Sequence, residues 1–183
     1  MKRVVLVFVV IAAVAIVASG QENLIYTDVV QVDSVSKAEL YTRAKLWFAT
    51  TYNSASDVLQ IEDKDAGQLV GKAIFTYDPS FLSSCEIVRG TIKYTIKVFV
   101  KEGRYKYEIT DFIHDPRGNK NGKYSVGLIT TADECPNPYT MAKKWSNKTW
   151  RDIKAQIEDN TSLMITSLQQ AMEKQTATEN DDW

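Results

Sequence analysis

One histidine and two cysteines are all the imidazole and thiol groups that this 183-residue chain offers to metal or nucleophile chemistry. A structural zinc centre needs four ligands, drawn mostly from Cys and His, and His114, Cys85 and Cys135 fall short of that number. Any Ser-His or Cys-His arrangement would have to recruit His114 itself. An excess of one charge is missing as well: 22 basic residues stand against 23 acidic ones, which argues against a dedicated polyanion binder. Phosphate and calcium loops are also absent. In Gly118-Asn119-Lys120-Asn121-Gly122-Lys123-Tyr124, three residues rather than four separate the glycines, and Tyr follows the Lys where a P-loop needs Ser or Thr. Glu62, Asp63 and Asp65 precede Gly67 without the ligand spacing or terminal Glu of an EF-hand, so they read as a solvated turn.

Long apolar runs are scarce too. The longest, residues 4–17, falls short of the ~20 residues a spanning helix needs. It follows Met1, Lys2 and Arg3 and precedes the small residues Ala18-Ser19-Gly20, which is the order of a secretory signal peptide cleaved after Gly20. The expected organisation is a signal peptide at 1–20, one domain at 21–175 and an acidic, flexible tail at 176–183. Taking Lys2 and Arg3 from the 22 basic residues leaves 20 against 23 acidic, a net charge of −3 for the exported chain. Position 21 is Gln rather than Cys, which disfavours a bacterial lipoprotein. Export to the periplasm or cell surface is an oxidising destination, where Cys85 and Cys135 form a candidate disulfide.

The remaining sequence alternates between two periodicities. Residues 24–33, rich in Val, Ile, Tyr and Thr, suit a strand. Ser36 and Glu39 then make a capping box, with Val35 and Leu40 placed as a hydrophobic staple. Leu40, Tyr41, Ala44, Trp47, Phe48 and Tyr52 follow at helical spacing, an aromatic-rich stripe for the core. Residues 58–63 and 68–77 read as a hairpin around Lys64-Asp65-Ala66-Gly67, and Gly71 marks a bulge or a close approach by the helix.

The clearest alternation is at residues 91–100, where Ile92, Tyr94, Ile96, Val98 and Val100 share the core face. After Glu102-Gly103 the next strand places Tyr105, Tyr107, Ile109 and Ile113 inward, and Arg104, Lys106, Glu108, Thr110, Phe112 and His114 outward. A two-residue turn pairs Val98 with Tyr107, Ile96 with Ile109, Thr95 with Thr110 and Lys97 with Glu108, all favourable. It also sets Lys101 opposite Arg104, which is unfavourable, so a four-residue loop stays open as an alternative. Residues 115–138 read as a long loop with a short strand at 124–130. Residues 147–173 read as a helix with Trp150, Ile153, Ile157, Met164, Leu168 and Met172 on its apolar stripe. The fold class is therefore α+β: an antiparallel sheet of about five strands, in the order strand, helix, four strands, helix, with two helices on one face and the other face open.

Particular runs carry a family likeness: the strand at 25–32, then Ser36-Lys37-Ala38-Glu39-Leu40-Tyr41 leading to Lys45-Leu46-Trp47-Phe48, and Val58-Leu59-Gln60-Ile61-Glu62-Asp63 followed by 67–71. Over roughly residues 25–115 the chain resembles exported bacterial domains of unknown function with a TATA-binding-protein-like fold. The resemblance implies the same element order. It implies no activity, ligand or functional residue, and the fold name carries no nucleic-acid binding with it.

His114 is expected at the solvent-facing end of its strand, which leaves little room for a Cys85-His114-Asp115 site. The glycosylation patterns Asn147-Lys148-Thr149 and Asn160-Thr161-Ser162 read as chance on a helix. What remains is a constellation of Lys93, Lys97, Arg104 and Lys106 interleaved with Phe99 and Phe112 on the open sheet face, suited to anionic or sugar-like partners. No cofactor, metal or nucleic acid is implied, and an envelope protein or glycan is the expected partner. Alternatives are a hydrolase using Asp115, Asp133 and Glu134, or a structural role in an envelope assembly.

Overall fold

A computed structural model of the chain describes residues 22–80, 85–117, 124–138 and 142–174, with the Cys85 side chain excepted. The expected leader at 1–20, the loop at 118–123 and the tail at 176–183 lie outside the described residues. Among those described, no helix is long and apolar enough to cross a membrane.

Chain order runs β1 (Tyr26–Gln31), α1 (Lys37–Thr51), α2 (Ala55–Val58), β2 (Leu59–Asp63), β3 (Gln68–Tyr77), a 3-10 turn (Cys85–Ile87), β4 (Gly90–Lys101), β5 (Arg104–Pro116), β6 (Gly127–Leu128) and α3 (Lys143–Glu173). The strands form one antiparallel sheet in the order β1-β5-β4-β3-β2, and β6 adds to the far end of β5. α1 and α3 pack on one face. Trp47 and Phe48 of α1, with Trp150, Ile153 and Ile157 of α3, are buried against Ile92, Ile96, Val98 and Ile109 of the sheet. The α+β class and the open second face are as the periodicity predicts.

Local chemistry explains the element ends. Ser36 caps α1, its Oγ accepting from the Glu39 amide at 3.2 Å. No comparable signal opens α3: its cap is Ala142, without a side-chain bond, so the helix starts at Lys143 rather than at the expected Asn147. α2 is a further addition, taking Val58 into a short helix where a strand is expected. At the far end of α3, where no basic residue lies in the last turn, the buried Arg43 of α1 donates to the Met172 carbonyl at 2.6 Å. A cation is thereby placed at a helix C-terminus from a different element.

Gly71 serves both of its expected purposes. The β2-β3 register shifts between Leu59 and Ile61, opposite Gly71 and Val70. A Cβ at position 71 would also lie 2.8 Å from Phe48 Cε1. The Glu102-Gly103 turn is the two-residue form: Lys101 pairs Arg104, Lys97 pairs Glu108 and Val98 pairs Tyr107, with Gly103 at φ 67°.

One expectation fails at the far half of β5. Phe112 and His114, placed outward by strict alternation, are both 1% exposed, while Ile113, placed inward, is 42% exposed. The cause is a bulge. Thr110 pairs Thr95 and Ile113 pairs Lys93, so one residue of β4, Tyr94, stands opposite two of β5, Asp111 and Phe112, and Asp111 absorbs the extra residue at φ 56°. Inserting one residue reverses every side chain after it. Asp is one of the few non-glycine residues that tolerate this left-handed conformation.

Buried in this way, His114 becomes part of the framework. Its Nε2 lies 2.8 Å from the Val88 carbonyl, its Nδ1 lies 3.2 Å from the Val126 amide, and its ring meets Tyr77 edge-on at 5.4 Å. These partners fit the neutral ring with the proton on Nε2. Burial pushes the imidazole below its ordinary value, against smaller opposing effects of the Val88 carbonyl and the Asp115 charge.

Two outcomes follow from the bulge. Asp111→Val should destabilise by about 1–2 kcal/mol, because a β-branched residue resists positive φ, whereas Asp111→Gly should stay within about 1 kcal/mol of the parent in urea unfolding. The second concerns acid. With a depressed folded-state pKa, the unfolded chain binds the extra proton first, so stability is full above about pH 6.5 and falls as pH drops below it. The urea midpoint should therefore decline between pH 7.5 and 5.5 in the parent and stay level in His114→Gln, since the chain has one histidine. Parallel profiles would remove His114 as the cause.

Candidate functional site

Strand register sets the composition of the open face row by row. Gln68, Phe99, Lys106 and Val29 lie side by side across β3, β4, β5 and β1. One row inward come Val70, Lys97, Glu108 and Thr27, and at the hairpin end Lys101, Arg104 and Gln31. Val29, Phe99, Lys101, Arg104, Lys106 and Glu108, with Tyr105 beneath, line a shallow groove of about 470 Å³.

Charge in this groove is unevenly compensated. Lys106 bonds Glu108 at 2.6 Å and Lys97 reaches it at 3.5 Å. The Lys106 hydrogen bond, with the positive charge around it, holds the Glu108 carboxyl below the ordinary carboxylate value. One carboxylate thus serves two lysines. Lys101 and Arg104 take part in no ion pair resolved among the described residues, although they face each other directly across the hairpin. Beside them Val29 is half-exposed.

The opposite end of the same face differs in kind. Ile74, Lys93, Ile113 and Leu128 align across β3, β4, β5 and β6. All three aliphatic members are exposed, Ile74 at 61%. They line a second depression of about 510 Å³ with Lys72, Thr95 and Asp111. Lys93 is matched here by Asp115 at 2.6 Å.

Five of the six residues expected on this face are therefore on it: Lys93, Lys97, Phe99, Arg104 and Lys106. Phe112 is not. It stacks on Tyr94 at 6.0 Å and meets Tyr26 edge-on at 5.9 Å, on the helix side. Val29, Ile74 and Leu128 come from strands whose partners sequence does not reveal, and Ile113 is hidden from alternation by the bulge. Lys101 alone had a visible signal, the unfavourable pairing with Arg104.

Of the three carboxylates considered for catalysis, Asp115 lies apart from the other two. Asp133 and Glu134 line a cleft of about 720 Å³ on the helix side with Tyr26, Arg151, Lys154 and Glu158. Asp115 sits across the sheet on Lys93. A 2.9 Å contact to Lys143 holds the Glu134 carboxyl below its ordinary value, the reverse of what a general acid needs. Among the described residues, no three His, Cys, Asp or Glu side chains gather as a metal site would require. Cys135 is a free, buried thiol, and burial raises its pKa. The side chain of Cys85, its expected partner, lies outside the described residues. Asn147 of the first glycosylation pattern is buried, and its Oδ1 accepts from the Cys135 amide at 2.9 Å.

Comparison with known proteins bears on this geometry through the fold. The family model described as a domain of unknown function (DUF4468) with TBP-like fold matches residues 26–115, the stretch from β1 to the end of β5. A DUF4468 family protein from Bacteroides ovatus aligns with a TM-score of 0.55 at 18% identity, covering 88% of this chain and 93% of its own. A TBP-like protein from Parabacteroides distasonis aligns with a TM-score of 0.52 at 18% identity, covering 80% of this chain and 93% of its own. No curated protein matches. At such identity the likeness shows the architecture and leaves the groove's ligand open. Over residues 26–115, 90 of its 183 residues, the chain is similar to that family of TBP-like fold.

Proposed function

We propose that the chain is an exported, non-catalytic binding domain whose open sheet face receives an anionic partner, a protein or glycan of the cell envelope, at the hairpin end. Export rests on the leader pattern at residues 1–20. The observation that carries the binding reading is the uncompensated cross-strand pair Lys101 and Arg104 beside Phe99 and Val29. Like charges directly opposite on neighbouring strands repel, so a carboxylate or sulfate spanning them turns a local penalty into attraction. Arg104 adds a planar fork suited to two-point recognition of a carboxylate. Phe99 and the alkyl stems of the basic side chains supply apolar surface next to the charge. The hydrolase alternative finds less support, since Asp115 pairs with Lys93 on the open face, away from the cleft that Asp133 and Glu134 line.

The groove reading is tested by the double reversal Lys101→Glu/Arg104→Glu in the full chain. Poly-L-glutamate and polygalacturonate serve as peptide and glycan probes, each titrated at low and near-physiological salt. The parent should bind at least one of them in a salt-sensitive manner, because exposed charges are screened over ~10 Å at 0.1 M salt. The double variant should bind at least about tenfold more weakly with an unchanged melting temperature. Equal affinity in parent and variant removes the hairpin-end groove as the site.

A further inference from the structure

A second concave site lies on the helix side, apart from the charged groove and independent of how that groove is read. We propose that the cleft of about 720 Å³ between α3 and the Asp133-Glu134 segment binds a short peptide of two or three residues by both of its free termini, Arg151 taking the carboxylate and Glu158 with Tyr26 the ammonium.

Spacing builds the α3 wall. Arg151, Lys154, Ala155 and Glu158 stand at i, i+3, i+4 and i+7, so one stripe of the helix lines the cleft. Ala155 at its centre is exposed and ends at Cβ, which leaves a hollow between a cation on one side and an anion on the other. Side chains of α3 also fix the opposite wall. Lys154 Nζ donates to the Thr131 and Ala132 carbonyls at 3.3 and 3.1 Å, Trp150 Nε1 donates to the Ala132 carbonyl at 2.9 Å, and Asn147 holds the Cys135 amide. Leu24 and Tyr26 close the third side, the Leu24 amide donating to the Ile129 carbonyl at 3.3 Å.

Charge is separated along this stripe. Lys154 is spent on backbone carbonyls, and Glu134 on Lys143 at 2.9 Å. Arg151 and Glu158, both exposed, take part in no ion pair resolved among the described residues. Their charges nevertheless reach the two ends of the cleft: Arg151 adds to Lys143 and Asn147 in holding the Glu134 carboxyl low, and Glu158 adds to burial in raising the Tyr26 phenol. With Asp133, Glu134 and Glu158 against Arg151 and Lys154, the lining carries both signs, which disfavours a ligand of only one. The guanidinium suits two-point recognition of a terminal carboxylate, and the Tyr26 ring and hydroxyl complement Glu158 around an ammonium. Seven residues of helix set Arg151 about 10 Å from Glu158, and an extended peptide rises ~3.3 Å per residue, so two or three residues bring both termini to their partners.

The test titrates the full chain, followed by backbone amide NMR, with the dipeptide Ala-Leu, its N-acetyl form and its C-terminal amide. Ala-Leu should shift the amides of Tyr26, Arg151, Ala155 and Glu158, and blocking either end should weaken binding by about tenfold as one charge-assisted contact is lost. Arg151→Gln should bind Ala-Leu and its amide alike, Glu158→Gln should no longer distinguish Ala-Leu from its N-acetyl form, and Ala155→Trp should fill the hollow and abolish binding. All three positions are exposed, so melting temperatures should match the parent. Lys101→Glu/Arg104→Glu should bind Ala-Leu as the parent does, which separates this cleft from the groove. Absent shifts, or equal affinity of the parent for all three peptides, overturn the proposal without any variant. Undiminished binding to Ala155→Trp places the peptide elsewhere and overturns it as well. Sensitivity to only one blocked terminus makes the cleft a site for a single charge and overturns the two-ended reading.

Discussion

A single extra residue in β5 decides which side chains meet the helices and which meet solvent. Asp111 takes up a left-handed conformation, and from that point the strand presents Phe112, His114 and Pro116 to the core. Phe112 then lies between Tyr94 and Tyr26, and His114 lies against Tyr77, so aromatic contacts spread from β5 to β1, β4 and β3. Edge-on and offset ring pairs of this kind add to burial. His114 also anchors the backbone on both sides of it through Val88 and Val126. Remove the bulge, and Ile113 would occupy the core while the imidazole returned to water.

The same slip divides the open face into two ends of different chemistry. Past the bulge, Ile113 joins Ile74 and Leu128 around a lysine already neutralised by Asp115. Before it, unbroken alternation from the tight Glu102-Gly103 turn lines up Phe99, Lys101, Arg104 and Lys106 with one carboxylate among them. The helix layer packs against this arrangement from behind. Phe48 packs where Gly71 leaves room, and Asp152 of α3 accepts from the Tyr77 hydroxyl at 2.8 Å and from the Ser80 amide at 3.2 Å, fixing the far end of β3.

Much of the fold was legible because its signals are local. The Ser36 cap, the helical stripe ending in Trp47 and Phe48, the alternation of β4 and the hairpin pairs from Lys101 to Thr95 each depend on residues close in sequence. What was hidden needs either a conformation or a partner. Asp111 looks like any other polar strand residue until its φ is known, and period-2 counting past it assigns Phe112, Ile113 and His114 to the wrong faces. α3 begins without a capping side chain, so no residue type announces Lys143. Val29 belongs to a strand that pairs with β5 across some eighty positions of sequence, as the Thr27 hydroxyl bond to the Tyr107 carbonyl illustrates. Five of the six face residues were found because they precede the bulge or lie on β4. The sixth, Phe112, was lost to it.

The bulged register is open to a direct chemical test. In a Cys85→Ser/Cys135→Ser background, single Ile113→Cys and His114→Cys chains can be reacted with a water-soluble maleimide under native conditions. With Asp111 absorbing one residue, the thiol at position 113 should label at a rate close to that of the unfolded chain, and the thiol at position 114 should stay protected until the protein unfolds. Fast labelling at 114 with protection at 113 would contradict the bulge and with it the division of the open face.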